Sequence, residues 1–238
     1  MNLMVVVFID LDGTLIIEEK PDLKSSVVDL KWQMLKIVKK YEFPDNLMNG
    51  LSQLNRATLL WNAIMDILYE LKSDDEISVI RNELDKVIGI HEREDHERSI
   101  LSEEAIPLLK ELRKEGYFLI TLTNTSRFEL EKIFTKYDLS KYFRGSITRN
   151  DVIKIKPDPE GLRKILDKLS EDRFTLIDDL DYGILATRSA RDLGYQGYSI
   201  LVNRGRYDDK MLKELSPDAI VNSLNKIPEL LKNIFSTE

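Results

Sequence analysis

The most informative stretch of this chain runs Val5-Val6-Val7-Phe8-Ile9-Asp10-Leu11-Asp12-Gly13-Thr14-Leu15. Its first five residues are β-branched or aromatic, a pattern typical of a strand that is buried on both faces of a parallel sheet. Polar residues and a flexible glycine follow at once, just past the carboxyl end of that strand. Open α/β sheets build their binding and catalytic sites at such ends. The stretch therefore predicts an α/β fold with a functional site that begins at Asp10.

Downstream of this stretch, from about residue 17 to residue 99, the apolar residues follow a helical period. Trp61, Ile64 and Leu68, for example, are spaced by three and four residues, as on the buried face of an amphipathic helix. Ser73 precedes three acidic residues, as a helix N-cap does. We interpret 17–99 as three or four helices inserted after the first strand, which would form a helical cap domain.

Helix and strand patterns alternate after residue 100, which is typical of a parallel sheet covered by helices. The first of these helices is predicted to have Ser102 as its N-cap. Further strands are predicted at 117–123, 145–148, 174–177, 198–202 and 219–221. The predicted fold class is α/β, with a Rossmann-like, three-layer parallel-sheet core formed by 1–16 and 100–238 and an inserted α-helical cap formed by 17–99.

The composition argues against several classes of protein. Forty-two acidic and thirty-five basic side chains leave a formal net charge of −7, which would repel a nucleic acid, so we expect no nucleic-acid partner. The chain has no cysteine, which excludes disulfides and thiol nucleophiles. His91 and His96 are five residues apart, which does not place them on one helical face, and we interpret them as part of a solvated, charged helix end.

The distribution of apolar residues predicts no contact with a membrane. No stretch reaches the ~20 apolar residues that a membrane helix needs. The apolar N-terminus has no basic residues before it, and Asp10 interrupts it too early for a signal peptide. We therefore expect a cytoplasmic protein without a membrane partner, and no pattern indicates an oligomeric state.

Polar residues of complementary chemistry follow three of the predicted strands and lie in one loop. In a parallel sheet these ends meet along one edge, so residues far apart in the chain can share one site. The residues are Asp10, Asp12, Thr123, Asn124, Lys156, Asp178 and Asp179. Carboxylates can hold a hard cation such as Mg2+, while a hydroxyl and a lysine can bind an anion. A carboxylate that is free to attack a phosphoryl group makes an aspartyl-phosphate route possible.

Four motifs in this order resemble those of the haloacid dehalogenase superfamily phosphatases. Asp10-Leu11-Asp12-Gly13-Thr14-Leu15 matches the DxDGTL signature of that family, and Leu119-Ile120-Thr121-Leu122-Thr123-Asn124 is similar to its second motif. Lys156-Pro157-Asp158-Pro159 is similar to the third motif, and Leu176-Ile177-Asp178-Asp179 to the acidic fourth. Within the superfamily, the layout resembles phosphoglycolate phosphatases with a helical cap of the C1 type.

The resemblance implies a Mg2+-dependent hydrolase of small phosphate monoesters that works through an aspartyl-phosphate intermediate. It implies that Asp10 is both nucleophile and metal ligand. Asp12 would act as general acid and base, with its backbone carbonyl on the metal. Thr123 and the backbone of Asn124 would bind the substrate phosphate, and Lys156 would stabilise both nucleophile and phosphate. The expected partner is a small phosphorylated metabolite.

The fourth motif departs from the pattern of the family. Asp179, supported by Asp178, is implied to complete the Mg2+ site. Many relatives have a further Asp four residues on, where this chain has Gly183. Asp181 is an alternative to the missing acid, and which of the three aspartates ligates the metal stays open.

Two other functions remain as alternatives. A metal-independent 2-haloacid dehalogenase is one, although those enzymes usually lack an acid at the position of Asp12. A non-catalytic phosphate- or metal-binding module on the same fold is the other, and the glycine at position 183 favours it. Lys154 also competes for the role of Lys156, but the Lys-Pro-Asp-Pro context favours Lys156.

Overall fold

The computed structural model describes residues 5–18 and 26–235, and within them eight strands. Residues 1–4, 19–25 and 236–238 of the predicted core and cap lie outside the described residues. The strands are β1 (Val6–Ile9), β2 (Ile16–Glu18), β3 (Ser99–Leu101), β4 (Phe118–Leu122), β5 (Gly145–Ile147), β6 (Arg173–Asp178), β7 (Gln196–Val202) and β8 (Ala219–Val221). Six of them form one parallel sheet in the order β5-β4-β1-β6-β7-β8. The predicted α/β class with a parallel-sheet core is confirmed.

Ten α-helices accompany these strands within the described residues. Four lie between β2 and β3, namely α1 (Ser26–Lys39), α2 (Asp45–Gln53), α3 (Ala57–Leu71) and α4 (Asp74–Glu97). Six follow β3, namely α5 (Ala105–Lys114), α6 (Arg127–Tyr137), α7 (Glu160–Leu169), α8 (Asp181–Asp192), α9 (Asp209–Leu215) and α10 (Ile227–Phe235). We refer to α1–α4 as the helical insertion.

Helices cover the sheet on both faces, and its central strand β1 is apolar throughout. In β1 the side chains alternate between two cores: Val6 and Phe8 pack with residues of α7 and α8, whereas Val7 and Ile9 pack with residues of α5, α6 and α10. All four residues of β1 are completely buried. This is the burial that a continuous apolar run predicts for a central parallel strand.

The helical insertion shares the core that includes Val6 and Phe8. Its buried residues Trp61, Ile64 and Leu68 belong to the same apolar cluster as the β1 residues. Ser73 caps α4 as predicted, in a capping box with Glu76. A continuous apolar core therefore joins the insertion to one face of the sheet.

Several elements differ from the sequence-based predictions. β2 and β3, for which no strand was predicted, form a short antiparallel pair at the two ends of the insertion. Helix α5 begins at Ala105 with Glu104 as its N-cap residue, so the prediction of Ser102 as N-cap was wrong. Ser102 instead accepts a hydrogen bond through its backbone carbonyl from the Ala105 amide, at 2.9 Å. Among the described helices, none combines the length and the apolar character required to cross a membrane.

Candidate active site

Three neighbouring strands bring the predicted site residues to one edge of the sheet. The register pairs Ile9 of β1 with Thr121 of β4 on one side and with Ile177 of β6 on the other. Asp10 therefore leaves the sheet beside Asp178, and its backbone amide donates to the Ile177 carbonyl at 2.9 Å.

Lys156 joins the carboxylates that follow β1 and β6. Its Nζ lies 2.7 Å from Asp10 Oδ1 and 2.6 Å from Asp178 Oδ2, and all three side chains are buried. Burial lowers the pKa of Lys156, but the carboxylates of Asp10 and Asp178 raise it by more than burial lowers it. The pKa therefore lies above its usual range. The ammonium therefore stays protonated and supplies a fixed positive charge.

Asp10, Asp178 and Asp179 form a buried carboxylate triad. Each offers one oxygen, and these oxygens lie within 4.8 Å of one another. Burial raises the pKa of Asp10 well above its usual range; Lys156 lowers it, while Asp178 and Asp179 raise it. Three carboxylates are thus packed around a lysine ammonium that pairs with two of them, Asp10 and Asp178, an arrangement that a divalent cation would stabilise.

Asp179 provides the test of whether the triad fits a cation. Its Oδ1 is buried and has no hydrogen-bond partner among the described residues. Burial and then the Asp178 carboxylate raise the pKa of Asp179 to about 7, although Arg206 opposes this with Nη2 at 3.7 Å from Oδ2. A buried carboxylate oxygen without a donor is a suitable ligand for a hard cation such as Mg2+. The residues present therefore fit the metal that the motifs imply.

Two glycines allow this close packing of acids. Gly13 has a φ of +80°, and a Cβ at its position would lie 2.2 Å from Asp179 Oδ2. Gly183, in the first turn of α8, would place a Cβ 2.4 Å from the Cβ of Asp178. The glycine that replaces the expected acid thus makes room for Asp178.

Asp181 and Lys154, the two alternatives from the sequence, make other contacts. The Asp181 carboxylate pairs with Arg56 of the insertion, with Nη1 2.7 Å from Oδ2. Lys154 Nζ pairs with Asp66 of α3 at 2.5 Å. Neither side chain belongs to the triad of carboxylates or to the pairs around Lys156.

Thr123 and Asn124 follow β4 and approach the same edge. Thr123 is buried, and its Oγ1 donates to Asp12 Oδ2 at 3.4 Å. The Asn124 side chain holds the Lys156 backbone from both sides, with Nδ2 donating to the Lys156 carbonyl and Oδ1 accepting from the Lys156 amide, each at 3.0 Å. The side chain of Asn124 therefore fixes the lysine loop, a role that the sequence did not indicate.

Asp12 lies beside the triad and is held at both oxygens. Thr125 Oγ1 donates to Oδ2, and His96 Nε2 lies 2.7 Å from Oδ1. His96 ends the last turn of α4 and only 8% of its side chain is exposed. The prediction that His96 lies on a solvated helix end was therefore wrong, because the helix end packs onto the core.

A cavity of about 820 Å³ opens in front of these residues. Its lining includes two acids of the site, Asp12 and Asp179, together with His96, Arg204 and Arg206. Arg204 is anchored by a hydrogen bond from Nη2 to the Thr14 carbonyl at 3.1 Å. The cavity has room for a small anionic molecule next to the acids.

Comparison with known proteins agrees with this geometry. A model of the haloacid dehalogenase-like hydrolases matches residues 4–191 of the chain. The chain belongs to this family. As a haloacid dehalogenase-like hydrolase it is similar to a phosphoglycolate phosphatase encoded on a plasmid of Cupriavidus necator, with 31% identity over 126 residues that make up 52% of each chain.

This haloacid dehalogenase-like hydrolase is also similar to a second curated protein and to a solved structure. A protein provisionally named a pyrophosphatase, from Caldanaerobacter subterraneus subsp. tengcongensis, is 26% identical over 134 residues, which are 56% of this chain and 59% of the relative. The chain therefore spans little more than half the length of these curated relatives. A crystal structure of a provisionally named haloacid dehalogenase-like hydrolase from Bacteroides fragilis covers 94% of this chain and 100% of its own, with 20% identity and a TM-score of 0.61. That likeness confirms the fold.

Sequence reasoning missed three contributors to this site in the hydrolase: His96, Thr125 and Arg206. Thr125 lies two residues beyond Thr123, and a second hydroxyl in the loop after an apolar strand was an available signal. Arg206 follows β7, a strand that was predicted without a polar end. His96 is separated from Asp12 by 84 residues, and its contact depends on how α4 packs, which periodicity does not report.

Proposed function

We propose that the protein is a Mg2+-dependent hydrolase of small phosphate monoesters that works through an aspartyl-phosphate at Asp10. The observation that carries this proposal is the position of Lys156 Nζ, 2.7 Å from Asp10 Oδ1 and next to the carboxylate triad. A fixed cation beside a carboxylate and a cation-binding cluster is the arrangement that phosphoryl transfer to a carboxylate needs.

In the first step, a carboxylate oxygen of Asp10 attacks the phosphorus while the bond from phosphorus to the leaving oxygen breaks. Asp12 gives its proton to that oxygen, so the alcohol leaves neutral. Lys156, with Thr123 and the backbone of Asn124, binds and orients the phosphoryl oxygens. The metal, held by Asp10, Asp179, Asp178 and the backbone of Asp12, would neutralise phosphoryl charge.

In the second step, Asp12 takes a proton from a water molecule that attacks the phosphorus of the aspartyl-phosphate. The bond between phosphorus and the Asp10 oxygen breaks, which releases phosphate and restores the Asp10 carboxylate. The same side chain thus serves first as acid and then as base.

The substrate we propose is a small phosphorylated metabolite. The name of the Cupriavidus necator relative supports phosphoglycolate or a compound of similar size, and the cavity of about 820 Å³ can hold such a molecule. We also propose that residues 17–99 act as a cap over a core formed by 1–16 and 100–238. The cytoplasm remains the predicted compartment.

The two alternatives have less support. A haloacid dehalogenase has no use for a proton donor at Asp12 or for a triad with an unpartnered carboxylate oxygen. A non-catalytic module was favoured by Gly183, but that glycine accommodates Asp178 beside Lys156. Its presence is therefore compatible with a working site.

The test is hydrolysis of p-nitrophenyl phosphate by the purified protein with and without Mg2+. We expect metal-dependent release of phosphate, and we expect Asp10→Asn to lower kcat by more than about a thousandfold because the amide cannot act as the nucleophile. Asp181→Asn is the matched control, since it neutralises a carboxylate that pairs with Arg56 outside the triad. Release of halide from 2-haloacids without metal, or metal binding without turnover, would contradict the proposal.

A further inference from the structure

We propose that His96 is a positioning residue that fixes the carboxylate of Asp12 for proton transfer. This inference rests on the proposed function, since it concerns the acid and base of that reaction. It assigns to the last turn of the helical insertion a direct part in the chemistry of the core.

The contact itself is short and is buried on the histidine side, while 42% of the Asp12 side chain is exposed toward the cavity. His96 Nε2 lies 2.7 Å from Asp12 Oδ1, and the imidazole is almost completely buried. When Asp12 is ionised, as it is in its role as base, its carboxylate can only accept hydrogen bonds, so the Nε2 group donates to it. When Asp12 carries a proton, the oxygen without the proton can still accept. The hydrogen bond joins α4 to the loop after β1.

The other side of the imidazole is backed by a second carboxylate. His96 Nδ1 lies 3.5 Å from Glu129 Oε2, and only 2% of the Glu129 side chain is exposed. Glu129 is held in turn by Lys132 Nζ at 3.1 Å and by Arg93 Nε at 3.6 Å. The imidazole therefore lies between two carboxylates and has little freedom to turn away from Asp12.

The hydrogen bond from His96 restricts a torsion that is otherwise soft. The terminal torsion of an aspartate is broad, so a carboxylate held at one oxygen can still rotate. Asp12 is held at Oδ2 by Thr125 and at Oδ1 by His96. Loss of His96 would leave the threonine side only, and misplacement of a catalytic group by about 1 Å can cost about a hundredfold in rate.

Two substrates with different leaving groups distinguish a role of His96 in positioning the acid from a general effect on activity. p-Nitrophenolate leaves without a proton, whereas phenolate from phenyl phosphate is a much poorer leaving group and depends on the acid. The value of kcat/KM reports the steps up to formation of the aspartyl-phosphate, in which Asp12 gives its proton. We therefore expect His96→Ala to lower kcat/KM for phenyl phosphate about tenfold or more and that for p-nitrophenyl phosphate less than about threefold.

Turnover gives a second expectation for the same variant. Hydrolysis of the aspartyl-phosphate is common to both substrates and needs Asp12 as base, so kcat is expected to fall for both. His96→Gln, whose side-chain amide can donate to Asp12 in place of Nε2, is expected to restore most of the kcat/KM for phenyl phosphate. His91→Ala is the matched control, because His91 lies on the same helix and contacts Gln33 at 3.3 Å instead.

The ratio of the two kcat/KM values is insensitive to partial unfolding, which lowers the active concentration equally for both substrates. If His96→Ala does not fold, His96→Asn replaces it, since its shorter amide keeps polarity without reaching Asp12. An equal fall in kcat/KM for both substrates would overturn the role of His96. So would a His96→Gln variant that recovers none of the kcat/KM for phenyl phosphate. Absence of metal-dependent turnover by the wild-type protein would instead contradict the proposed function.

Discussion

Gly183 is the residue at which this chain departs from the fourth motif, and its packing explains the departure. A Cβ at this position would lie 2.4 Å from the Cβ of Asp178 and 2.9 Å from its Cγ. We expect Gly183→Ala and Gly183→Asp to lower the free energy of unfolding by about 1–3 kcal/mol, because a side chain here overpacks a closed region. Urea denaturation of the purified variants measures this change.

The control for Gly183 is a helical glycine in open space. A Cβ built on Gly89 in α4 would meet no atom within 4 Å among the described residues, apart from its chain neighbours and the adjacent backbone of its own helix. Gly89→Ala should therefore raise the free energy of unfolding by about 0.5–1 kcal/mol, through helix propensity alone. A Gly183→Asp variant that unfolds at the wild-type urea concentration and binds Mg2+ more tightly would show that the packing argument is wrong.

The residue scale also shows where sequence reasoning succeeds and where it stops. Asp10 and Asp179 could be located because each follows an apolar strand, and the ends of neighbouring parallel strands must meet. The side chain of Asn124 was missed because its partner is the backbone of Lys156, 32 residues away. Contacts of this kind depend on loop geometry, which leaves no periodic signal.

At the scale of elements, one buried arginine links α4 to the core at two carboxylates. Arg149 lies in a short 3-10 helix, its side chain is 1% exposed, and its Nε donates to Asp85 Oδ1 at 2.7 Å. Arg149 Nη1 also pairs with Glu92 of α4 and donates to the Asn124 carbonyl at 2.8 Å. One guanidinium thus joins the insertion to the loop that follows β4.

Arg149→Met should loosen this attachment. Two mostly buried carboxylates, Asp85 and Glu92, would lose their cation, so we expect a loss of about 3 kcal/mol in the free energy of unfolding. In this variant, hydrogen exchange should accelerate more for the backbone amides of α4 than for those of β1. Lys40→Met, which removes an exposed ion pair with Glu83, is the control and should cost less than about 1 kcal/mol. Equal effects of the two variants would argue against the attachment role.

Elements with a largely buried apolar run could be predicted from the sequence more readily than exposed ones. β1 and β6 have almost entirely buried runs, and both were found from sequence. Helix α9 has no buried residue, so no apolar period marked it, and it was missed. β2 and β3 were missed because they lie at the two ends of a stretch whose apolar residues follow a helical period.

At the scale of the whole molecule, the carboxylate triad that we propose for function lowers the stability of the folded protein without metal. Without metal, the protein contains three buried carboxylates whose cationic partners are Lys156, paired with Asp10 and Asp178, and Arg206, 3.7 Å from Asp179. The pKa of Asp179 is raised to about 7, chiefly by burial. Ionised Asp179 is therefore unfavourable for the folded state above pH 7, and a cation should compensate for it.

We expect Mg2+ at a large excess over its dissociation constant to raise the Tm of the wild-type protein at pH 8 by several degrees. Asp179→Asn should have a higher Tm than the wild type in EDTA at pH 8 and should lose most of the response to Mg2+. In EDTA, the difference in Tm between Asp179→Asn and the wild type should become smaller as the pH falls below 7, because wild-type Asp179 then takes up a proton. Differential scanning calorimetry can follow each case, and a lower Tm for Asp179→Asn in EDTA would contradict the expectation.

The antiparallel pair of β2 and β3 places the departure and the return of the chain side by side, with Ile16 opposite Leu101 and Glu18 opposite Ser99. Paired strands are about 5 Å apart, so the two ends of the insertion leave and rejoin the core at one place. A different insertion joined there would have to cover the apolar residues with which Trp61, Ile64 and Leu68 now pack. It would also have to supply its own partner for Asp12 in place of His96.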